Sequence, residues 1–375
     1  MEIKAAVLHE MGLPSPYAES RPLKIETLEL GEPTENEVLL KIGAVGLCHS
    51  DLSVINGNRP RPTPMALGHE AAGEVIQVGK NVNDFKKGDH VVCTFVPSCG
   101  HCIPCREGRP ALCEKGASSN EKGEMLDGGR RLEYEGESIH HHLGVSGFAT
   151  HAVVSPNSIV KVDPSIPFEK VAIFGCAVIT GIGAVINTAK VKPGSTVAVV
   201  GLGGIGLNAV IGAKLAGASE IVALDINPNK FDMAKKLGAT AVFDSSEENI
   251  VDKIKSYVPG GVDYAFETAG AVPAMDVAYK ITKRGGMTVT TGLPHPKHEF
   301  SFPQVTLTAE ERTVKGSYVG SCVPSRDIPQ FIELYKQGRL PVDTLLTDTL
   351  PLNKINEGFD MLEEGNVARL VIKID

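Results

Sequence analysis

The sequence predicts an α/β protein with two domains, one built on a doubly wound parallel sheet and the other rich in β-strands. Apolar strands and helices alternate regularly from Lys192 to about Thr291, which is typical of a parallel sheet with right-handed crossovers. The earlier part of the chain instead has many prolines and glycines between short segments of alternating hydrophobicity, which indicates antiparallel strands. A chain of 375 residues has the length of two domains.

The β-rich domain is predicted from the first and last parts of the chain. Its strands are expected at 1–8, Glu37–Val45, Ala71–Val78 and His90–Phe95. Composition shifts near residue 175 and again near 315. The tail from Lys315 onward predicts two helices and a final strand, Arg369–Ile372, which returns to the first domain. We therefore expect one domain at 1–177, completed by 319–375, and a second at 178–318.

The second domain is predicted as strands separated by helices. The expected strands are Thr196–Val200, Glu220–Leu224, Ala241–Phe243, Val262–Phe266 and Met287–Thr291. A helix is expected from Gly204 to Ala216. The pair Asn227-Pro228 is typical of a helix start, with asparagine as the cap and proline at the first position, and Gly238 marks the end of that helix.

A glycine-rich turn joins the first of these strands to its helix. The segment Gly201-Leu202-Gly203-Gly204-Ile205-Gly206 contains the pattern G-x-G-x-x-G. These glycines permit a tight turn, a close approach of a pyrophosphate and packing of the helix on the strand. Asp225 ends the next strand, where its carboxylate can accept hydrogen bonds from both ribose hydroxyls and repel a 2′-phosphate. The pattern predicts a Rossmann domain that binds NAD rather than NADP.

Four cysteines lie within fifteen residues, in the pattern C-x2-C-x2-C-x7-C. They are Cys99, Cys102, Cys105 and Cys113. This spacing lets a short loop surround one tetrahedral ion, so we interpret it as a structural zinc site. Disulfides and an iron–sulfur cluster are the alternatives; disulfides within C-x2-C pairs are sterically awkward, which leaves the cluster as the main rival.

Composition excludes several classes of function. There are 37 basic and 45 acidic residues, a net charge of −8, so the chain lacks the basic surface of a nucleic-acid-binding protein. Eight cysteines, and a start that reads as a strand rather than a secretory leader, favour the reducing cytoplasm. Two long apolar stretches are too short or too rich in glycine for a membrane span. We expect a cytoplasmic protein without nucleic-acid or membrane partners.

Three further segments, taken with the four-cysteine loop and the glycine turn, resemble the zinc-containing medium-chain alcohol dehydrogenases of the liver type. The segments are Gly46–Asp51, Leu67–Gly73 and Phe174–Ala177. The resemblance runs in order from the N-terminus to Arg369. It implies a GroES-like catalytic domain with a structural zinc lobe, a Rossmann domain that binds NAD, and two zinc ions per chain.

The resemblance also implies roles for individual residues. Cys48, His69 and Cys176 would bind a catalytic zinc, with Glu70 as an occasional further ligand, and Asp51 would orient His69. Ser50 would take the proton of the alcohol. Thr180 and Ile205 would bound the nicotinamide. The coenzyme phosphates or ribose would be held by His49, Lys230 and Arg369. The expected reaction is reversible hydride transfer between a primary or secondary alcohol and NAD.

The chain departs from the family pattern at the proton relay and the substrate pocket. The liver-type enzymes have a histidine at the position of Ser53, so the relay would end in water or in His49. The expected pocket residues are Phe95, His142, Leu143, Leu293 (also next to the coenzyme) and Tyr318. His142 replaces a common apolar aromatic, and the run His140–His142 is read as pocket and loop rather than as a third metal site.

The alternative activity is that of a glutathione-dependent formaldehyde dehydrogenase, which oxidises a thiol adduct. Arg59 and Ala117 stand where that branch has an acidic residue and an arginine, which disfavours it. A catalytically idle relative is the other alternative. The resemblance finally implies a homodimer, joined through the strand region Phe302–Ser317 with Val305, Leu307 and Val314 as apolar anchors, and a longer connection at Glu114–Phe148.

Overall fold

The computed structural model describes residues 1–365 and 367–374 and divides into two compact units. Unit 1 comprises Met1–Cys176, Val323–Gln337 and Val342–Asp375, and unit 2 comprises Ala177–Cys322 and Gly338–Pro341. One unit is β-rich and the other carries a parallel sheet, so the predicted fold class is confirmed. The short segments 319–322 and 338–341, expected in the first domain, group with unit 2.

Unit 1 begins with ten strands and five short helices. The strands are β1 (Glu2–Leu8), β2 (Leu23–Leu30), β3 (Val38–Gly46), β4 (Met65–Ala66), β5 (Glu70–Val78), β6 (His90–Cys93), β7 (Leu132–Tyr134), β8 (Glu137–His141), β9 (His151–Val154) and β10 (Ile159–Lys161). The helices are α1 (Tyr17–Ser20), α2 (His49–Ile55), α3 (Ile103–Arg106), α4 (Glu114–Lys122) and α5 (Phe168–Val171), with 3₁₀ turns at Pro110–Leu112, Pro156–Ser158 and Ala172–Gly175.

Unit 2 contains six helices and six strands. They are α6 (Ala177–Gly183), β11 (Thr196–Val200), α7 (Gly204–Leu215), β12 (Glu220–Asp225), α8 (Phe231–Leu237), β13 (Ala241–Asp244), α9 (Ile250–Tyr257), β14 (Val262–Glu267), α10 (Val272–Ile281), β15 (Thr282–Thr290), α11 (Gln304–Ala309) and β16 (Thr313–Gly316). Shorter helical segments are the π-helix Ala184–Ala189 and the 3₁₀ turns Pro228–Lys230 and Val319–Ser321.

The tail completes unit 1 with two helices and two strands. They are α12 (Pro324–Lys336), β17 (Leu346–Pro351), α13 (Ile355–Glu363) and β18 (Arg369–Lys373), with 3₁₀ turns at Val342–Thr344 and Leu352–Lys354. The sequence predicts β18 and both helices but not β17, whose exposed Thr and Asp residues and terminal proline give no apolar alternation.

The strands of unit 1 form a closed barrel and an open sheet. The barrel order is β1-β2-β7-β8-β4, and the sheet order is β10-β6-β5-β3-β18-β17, with β9 also pairing with β3. Strand β3 is central because it pairs with β5, β9 and β18. Its buried residues Val38, Leu40 and Ile42 alternate along one face and join the larger apolar core of the unit.

The sheet of unit 2 is parallel throughout, in the order β13-β12-β11-β14-β15-β16. The chain proceeds outward from β11 in one direction and then restarts at β14, so ligands are expected at the carboxyl ends of these two strands. Ile250 and Ile254 of α9, and Val258 directly after the helix, belong to the same apolar cluster as Val222 and Leu224 of β12.

The expected strand region at Phe302–Ser317 is a strand only at its end. Residues Gln304–Ala309 form helix α11, and the strand β16 covers Thr313–Gly316 alone. Within the described part of the chain β16 pairs only with β15, and it forms one edge of the sheet.

Among the described residues, no single helix is long and apolar enough to cross a membrane. One bent pair, Phe168–Gly175 with Ala177–Ala189, passes that test by length and composition when its two helices are taken together.

Candidate active site and metal centres

Cys48, His69, Glu70 and Cys176 meet in the interior of unit 1. Cys48 caps helix α2, where its Sγ accepts a hydrogen bond from Ser50 N at 3.5 Å. His69 and Glu70 lie at the start of β5, and Cys176 follows the 3₁₀ turn Ala172–Gly175. One donor atom from each of the four side chains lies within 4.8 Å of the others, and all four residues are buried. The four residues are far apart in sequence, so their spacing does not predict the cluster. The family resemblance named them, and the fold brings them together.

The ionisable side chains of this cluster shift the pKa values of one another. The Cys176 thiol, followed by His69 and Arg369, holds the pKa of Cys48 well below its usual range against the opposing effect of burial. Burial raises the pKa of Glu70 to about 8, although Arg369 opposes the rise. Burial alone would lower the pKa of His69, but Asp51 and Cys48 outweigh it and raise that pKa. The anionic groups around His69 therefore favour a cation beside its ring, which a bound metal ion would supply.

Two orphaned atoms fit a metal ion. His69 Nε2 and Glu70 Oε2 are buried without a hydrogen-bond partner, and such atoms are rare unless a ligand or ion satisfies them. Two sulfurs and one imidazole nitrogen are ligands that zinc prefers, at about 2.3 Å and about 2.0 Å respectively. Two thiolates and a neutral imidazole would also balance the charge of Zn²⁺. The donor set fits a zinc ion.

Asp51 holds His69 from the opposite side of its ring. Its Oδ1 lies 3.1 Å from His69 Nδ1 and accepts a hydrogen bond from Gly68 N at 3.3 Å. Burial would raise the pKa of Asp51, but His69 and His142 lower it overall, so the carboxylate stays ionised. Because a carboxylate only accepts, Nδ1 of His69 carries the hydrogen and Nε2 is left as the free lone pair.

Arg369 lies against this cluster in unit 1. Its guanidinium donates to Leu47 O and to Glu70 Oε1, both at 3.1 Å, and is 4% exposed. Sequence analysis expected Arg369 to hold the coenzyme, and this role stays a prediction. Its pairing with Glu70 was not foreseen, because 299 residues separate the two in sequence.

The four cysteines Cys99, Cys102, Cys105 and Cys113 form a second candidate metal centre. Their sulfur atoms lie within 4.8 Å of one another, and all eight cysteines of the chain are free of disulfides. Backbone N–H groups of His101 and Cys102 lower the pKa of Cys99 to about 6, and Gly116 N donates to Cys113 Sγ at 3.3 Å. Such N–H groups stabilise thiolates, as a metal-binding loop requires.

The glycine turn of unit 2 shows the conformations that its pattern predicts. Gly201 has φ +97°, and a Cβ there would lie 2.8 Å from Ala269 N. At Gly206 a Cβ would overlap Gly201 O, whereas a Cβ at Gly203 would meet no atom within 4 Å. Open space beside Gly203, at the N-terminus of α7, leaves room for an anionic ligand such as a pyrophosphate.

Asp225 lies next to this turn at the end of β12. Its Oδ2 accepts hydrogen bonds from Leu202 N at 2.6 Å and Lys230 Nζ at 3.3 Å, and its Oδ1 accepts from Asn227 N at 2.9 Å. These bonds fix the carboxylate beside the turn, and Lys230 is brought to the same place. The role of Asp225 and Lys230 toward a coenzyme ribose stays a prediction.

The remaining predicted residues fall into both units. In unit 1, His49 is exposed and Ser50 is partly buried, and both lie at the start of α2. The centroid of the Phe95 ring lies 5.2 Å from that of the His69 ring, and Leu143 is buried. In unit 2 Thr180 has a buried hydroxyl without a hydrogen-bond partner, Gly204 and Ile205 begin α7, and Leu293 and Tyr318 are exposed. Their roles toward coenzyme and substrate stay predictions.

The chain is similar to known protein families and to solved structures. Residues 34–164 match the alcohol dehydrogenase GroES-like domain, and residues 204–337 match the zinc-binding dehydrogenase family. An alcohol dehydrogenase zinc-binding domain protein from Burkholderia ambifaria is 36% identical, with a TM-score of 0.93 over 100% of this chain and 99% of its own.

Two further solved structures are similar over nearly their whole length. Benzyl alcohol dehydrogenase from Acinetobacter calcoaceticus is 33% identical, with a TM-score of 0.93 over 100% of both chains. A putative zinc-binding dehydrogenase from Sinorhizobium meliloti 1021, bound to NADP, is 25% identical, with a TM-score of 0.81 over 100% of this chain and 99% of its own.

Proposed function

The chain belongs to the zinc-containing medium-chain alcohol dehydrogenases, and from that premise we propose that it interconverts a primary or secondary alcohol and its aldehyde or ketone with NAD. The observation that carries the proposal is the orientation of His69. Its Nδ1 is held by Asp51 while its Nε2, buried and without a partner, lies with Cys48 and Cys176. That geometry prepares a metal ligand.

The residues of unit 1 would bind zinc through Cys48, His69 and Cys176. The ion would supply the Lewis acidity that lets an alcohol hydroxyl lose its proton near neutral pH. Asp51 keeps the imidazole in one tautomer. Ser50, beside Cys48 at the start of α2, would accept the proton of the alcohol. Ser53 is unsuited to continue the relay, because its hydroxyl donates to His49 O at 2.8 Å and is far too weak a base.

NAD rather than NADP is proposed as the coenzyme. It would receive the hydride from the carbinol carbon of the substrate. The carboxylate of Asp225 is fixed beside the glycine turn by Leu202 N, where it would accept hydrogen bonds from ribose hydroxyls and repel a 2′-phosphate. The relative that binds NADP is only 25% identical, so its coenzyme need not be shared.

A homodimer is proposed as the working form. Strand β16 forms the edge of the sheet of unit 2, and an edge strand with free backbone groups favours pairing with another chain. Val305 on helix α11, which precedes β16 in the chain, is 70% exposed, so an apolar side chain is available for such a contact. Pairing of two such edges would be isologous.

The activity is tested by initial rates with aliphatic, aromatic and polyol substrates, each with NAD and with NADP. Aromatic alcohols belong in the panel because one relative is a benzyl alcohol dehydrogenase. We expect alcohol-dependent reduction of NAD without added thiol, and much slower reduction of NADP. Activity that required glutathione would favour a thiol-adduct formaldehyde dehydrogenase, which the comparisons do not favour. No activity with any alcohol would contradict the proposal.

A further inference from the structure

His142 lies beside Asp51 in the interior of unit 1. Its Nδ1 is 3.2 Å from Asp51 Oδ1, the same oxygen that lies 3.1 Å from His69 Nδ1. The His142 ring is 2% exposed and stands edge-on to the His69 ring, with centroids 5.6 Å apart. One carboxylate oxygen thus lies beside two imidazole nitrogens.

The contact between His142 and Asp51 is close but imperfectly aligned. His142 Nδ1 and Asp51 Oδ2 both remain buried without a well-aligned hydrogen-bond partner. A buried polar atom in this state costs free energy unless a partner satisfies it. The Asp51 carboxylate is the acceptor that the structure places next to this nitrogen, and a carboxylate can only accept, so the hydrogen belongs on His142 Nδ1.

A constrained turn fixes the position of His142. The residues Leu143 and Ser146, neither a glycine, adopt left-handed conformations with φ +55° and +51°. His142 O accepts hydrogen bonds from Val145 N and Ser146 N, and His142 N donates to Ser146 Oγ at 3.0 Å. Bulky residues occupy this region only where the surrounding structure forces them, and such strain concentrates at functional sites.

The turn is connected to the partly buried ion pair of Arg131 and Glu37. Ser146 Oγ lies 3.4 Å from His141 Nδ1, and His141 Nε2 accepts a hydrogen bond from Arg131 N at 3.0 Å. Burial lowers the pKa of His141 to about 3, so this ring is neutral. Arg131 binds both oxygens of the buried Glu37, each at 2.9 Å. The turn therefore has little freedom to carry His142 away from Asp51.

We propose that His142 is a positioning residue for the catalytic metal. It shares the Asp51 carboxylate with His69 and thereby fixes the His69 ring, which presents its Nε2 to zinc. The inference rests on the proposed function, since it assumes that Cys48, His69 and Cys176 bind the ion. Loss of the His142 N–H would leave Asp51 held by His69 and Gly68 alone. The His69 ring would then be less firmly oriented and the zinc would dissociate faster.

Three substitutions of His142 distinguish the effect of its N–H donor from the effect of the volume of its ring. His142→Asn keeps an N–H donor near the position of Nδ1, His142→Gln moves the donor toward the position of Nε2, and His142→Phe retains a ring but has no donor. Each full-length, zinc-loaded chain is mixed with a chromogenic chelator, and zinc release is followed in time. The zinc of the four cysteines provides an internal control in every sample, and kcat and KM are measured in parallel.

We expect His142→Phe and His142→Gln to release the catalytic zinc about tenfold faster than the unmodified chain. Losses of about this size are typical when a residue that supports a metal ligand is replaced. His142→Asn should restore slow release, and the four-cysteine zinc should be unaffected throughout. We expect kcat to fall in step with the faster release while KM for NAD stays constant. Should His142→Phe fail to fold, the Asn and Gln variants still give the comparison, because both carry an amide.

Equal rates of zinc release from the Asn and Gln variants would overturn the inference. So would a folded His142→Phe variant that releases its catalytic zinc as slowly as the unmodified chain. A third metal ion per chain, lost on substitution of His142, would also overturn it, because Asp51, His69 and His142 would then bind an ion themselves. If the unmodified chain holds zinc only at its four cysteines, the proposed function fails first and the inference fails with it.

Discussion

Oδ1 of Asp51 lies 3.1 Å from Nδ1 of His69, and neither side chain has any exposed surface. This pair links the metal ligand to helix α2, which carries Asp51, Ser50 and His49. The position of the helix therefore fixes the orientation of the His69 ring, and a substitution of Asp51 should change zinc binding.

We expect Asp51→Asn to lower zinc affinity and kcat/KM by about 10- to 100-fold, because the substitution removes the charge that orients His69 while keeping the shape of the side chain. Zinc content after dialysis and steady-state kinetics measure the two effects. Asp163→Asn serves as the control, since Asp163 forms an ion pair with Lys336 elsewhere on the surface of unit 1. Full zinc occupancy and activity in Asp51→Asn would show that His69 needs no such support.

Cys48→Ala should abolish turnover and remove about one zinc ion per chain, because the thiolate is a proposed ligand. NADH binding, followed by fluorescence, should persist because the glycine turn belongs to unit 2. Cys93→Ala is the matched control: Cys93 is also fully buried, but lies outside both cysteine clusters. If Cys48→Ala loses NADH binding as well, the substitution has unfolded the chain and Cys176→Ala must give the result.

Asp225→Asn should reduce the preference for NAD over NADP, since the amide keeps an oxygen for Leu202 N but no longer repels a phosphate. Asp225→Gly, which removes the side chain, should weaken NAD further and admit NADP. We expect at least about a tenfold change in the ratio of kcat/KM values, in line with hydrogen bonds to a charged group. An unchanged ratio in both variants would mean that Asp225 does not face the ribose.

His49→Gln should mainly raise KM for NAD and leave the pH profile of turnover in place, because we expect the proton of Ser50 to reach solvent through water. A coenzyme phosphate beside His49 would keep its ring protonated and unsuited to act as a base. Steady-state rates between pH 6 and 9, with and without added imidazole, test this expectation. A fall in turnover at neutral pH that imidazole restores would identify His49 as the relay base.

Light scattering at micromolar concentration should give about twice 39.7 kDa. Val305→Glu should shift the mass toward the monomer, because the charge would be placed on the exposed apolar side chain near β16. Ile226→Glu is the control, since Ile226 is similarly exposed in unit 2 at 74%. A monomer or tetramer for the unmodified chain would contradict the dimer.

Local features could be predicted from the sequence, whereas contacts between distant segments could not. The turn Gly201–Gly206 and the strand before it were predictable because their conformation depends on neighbouring residues. The cluster of Cys99 to Cys113 was predictable for the same reason. Helix α11 was missed because its six residues are too few to show a helical apolar period, and Pro303 before it offers no capping side chain.

The support of the metal site is the clearest example of information that the sequence lacks. His142 was expected in the wall of the substrate pocket, which stays a prediction, but its burial beside Asp51, 91 residues away in sequence, was not foreseen. Arg369 and Glu70 likewise meet across 299 residues. No periodicity or spacing encodes such pairs, and that of Arg369 and Glu70 depends on how β3, β5 and β18 are arranged in one sheet.

The most direct test of the account is the rate of NADH formation from alcohol and NAD as zinc is returned to a chain stripped of its catalytic ion. Activity should be absent in the stripped chain and rise in proportion to added zinc, to a plateau at about one ion per chain beyond the zinc of the four cysteines. Full activity in the stripped chain, with Cys48, His69 and Cys176 free of metal, would contradict the central claim.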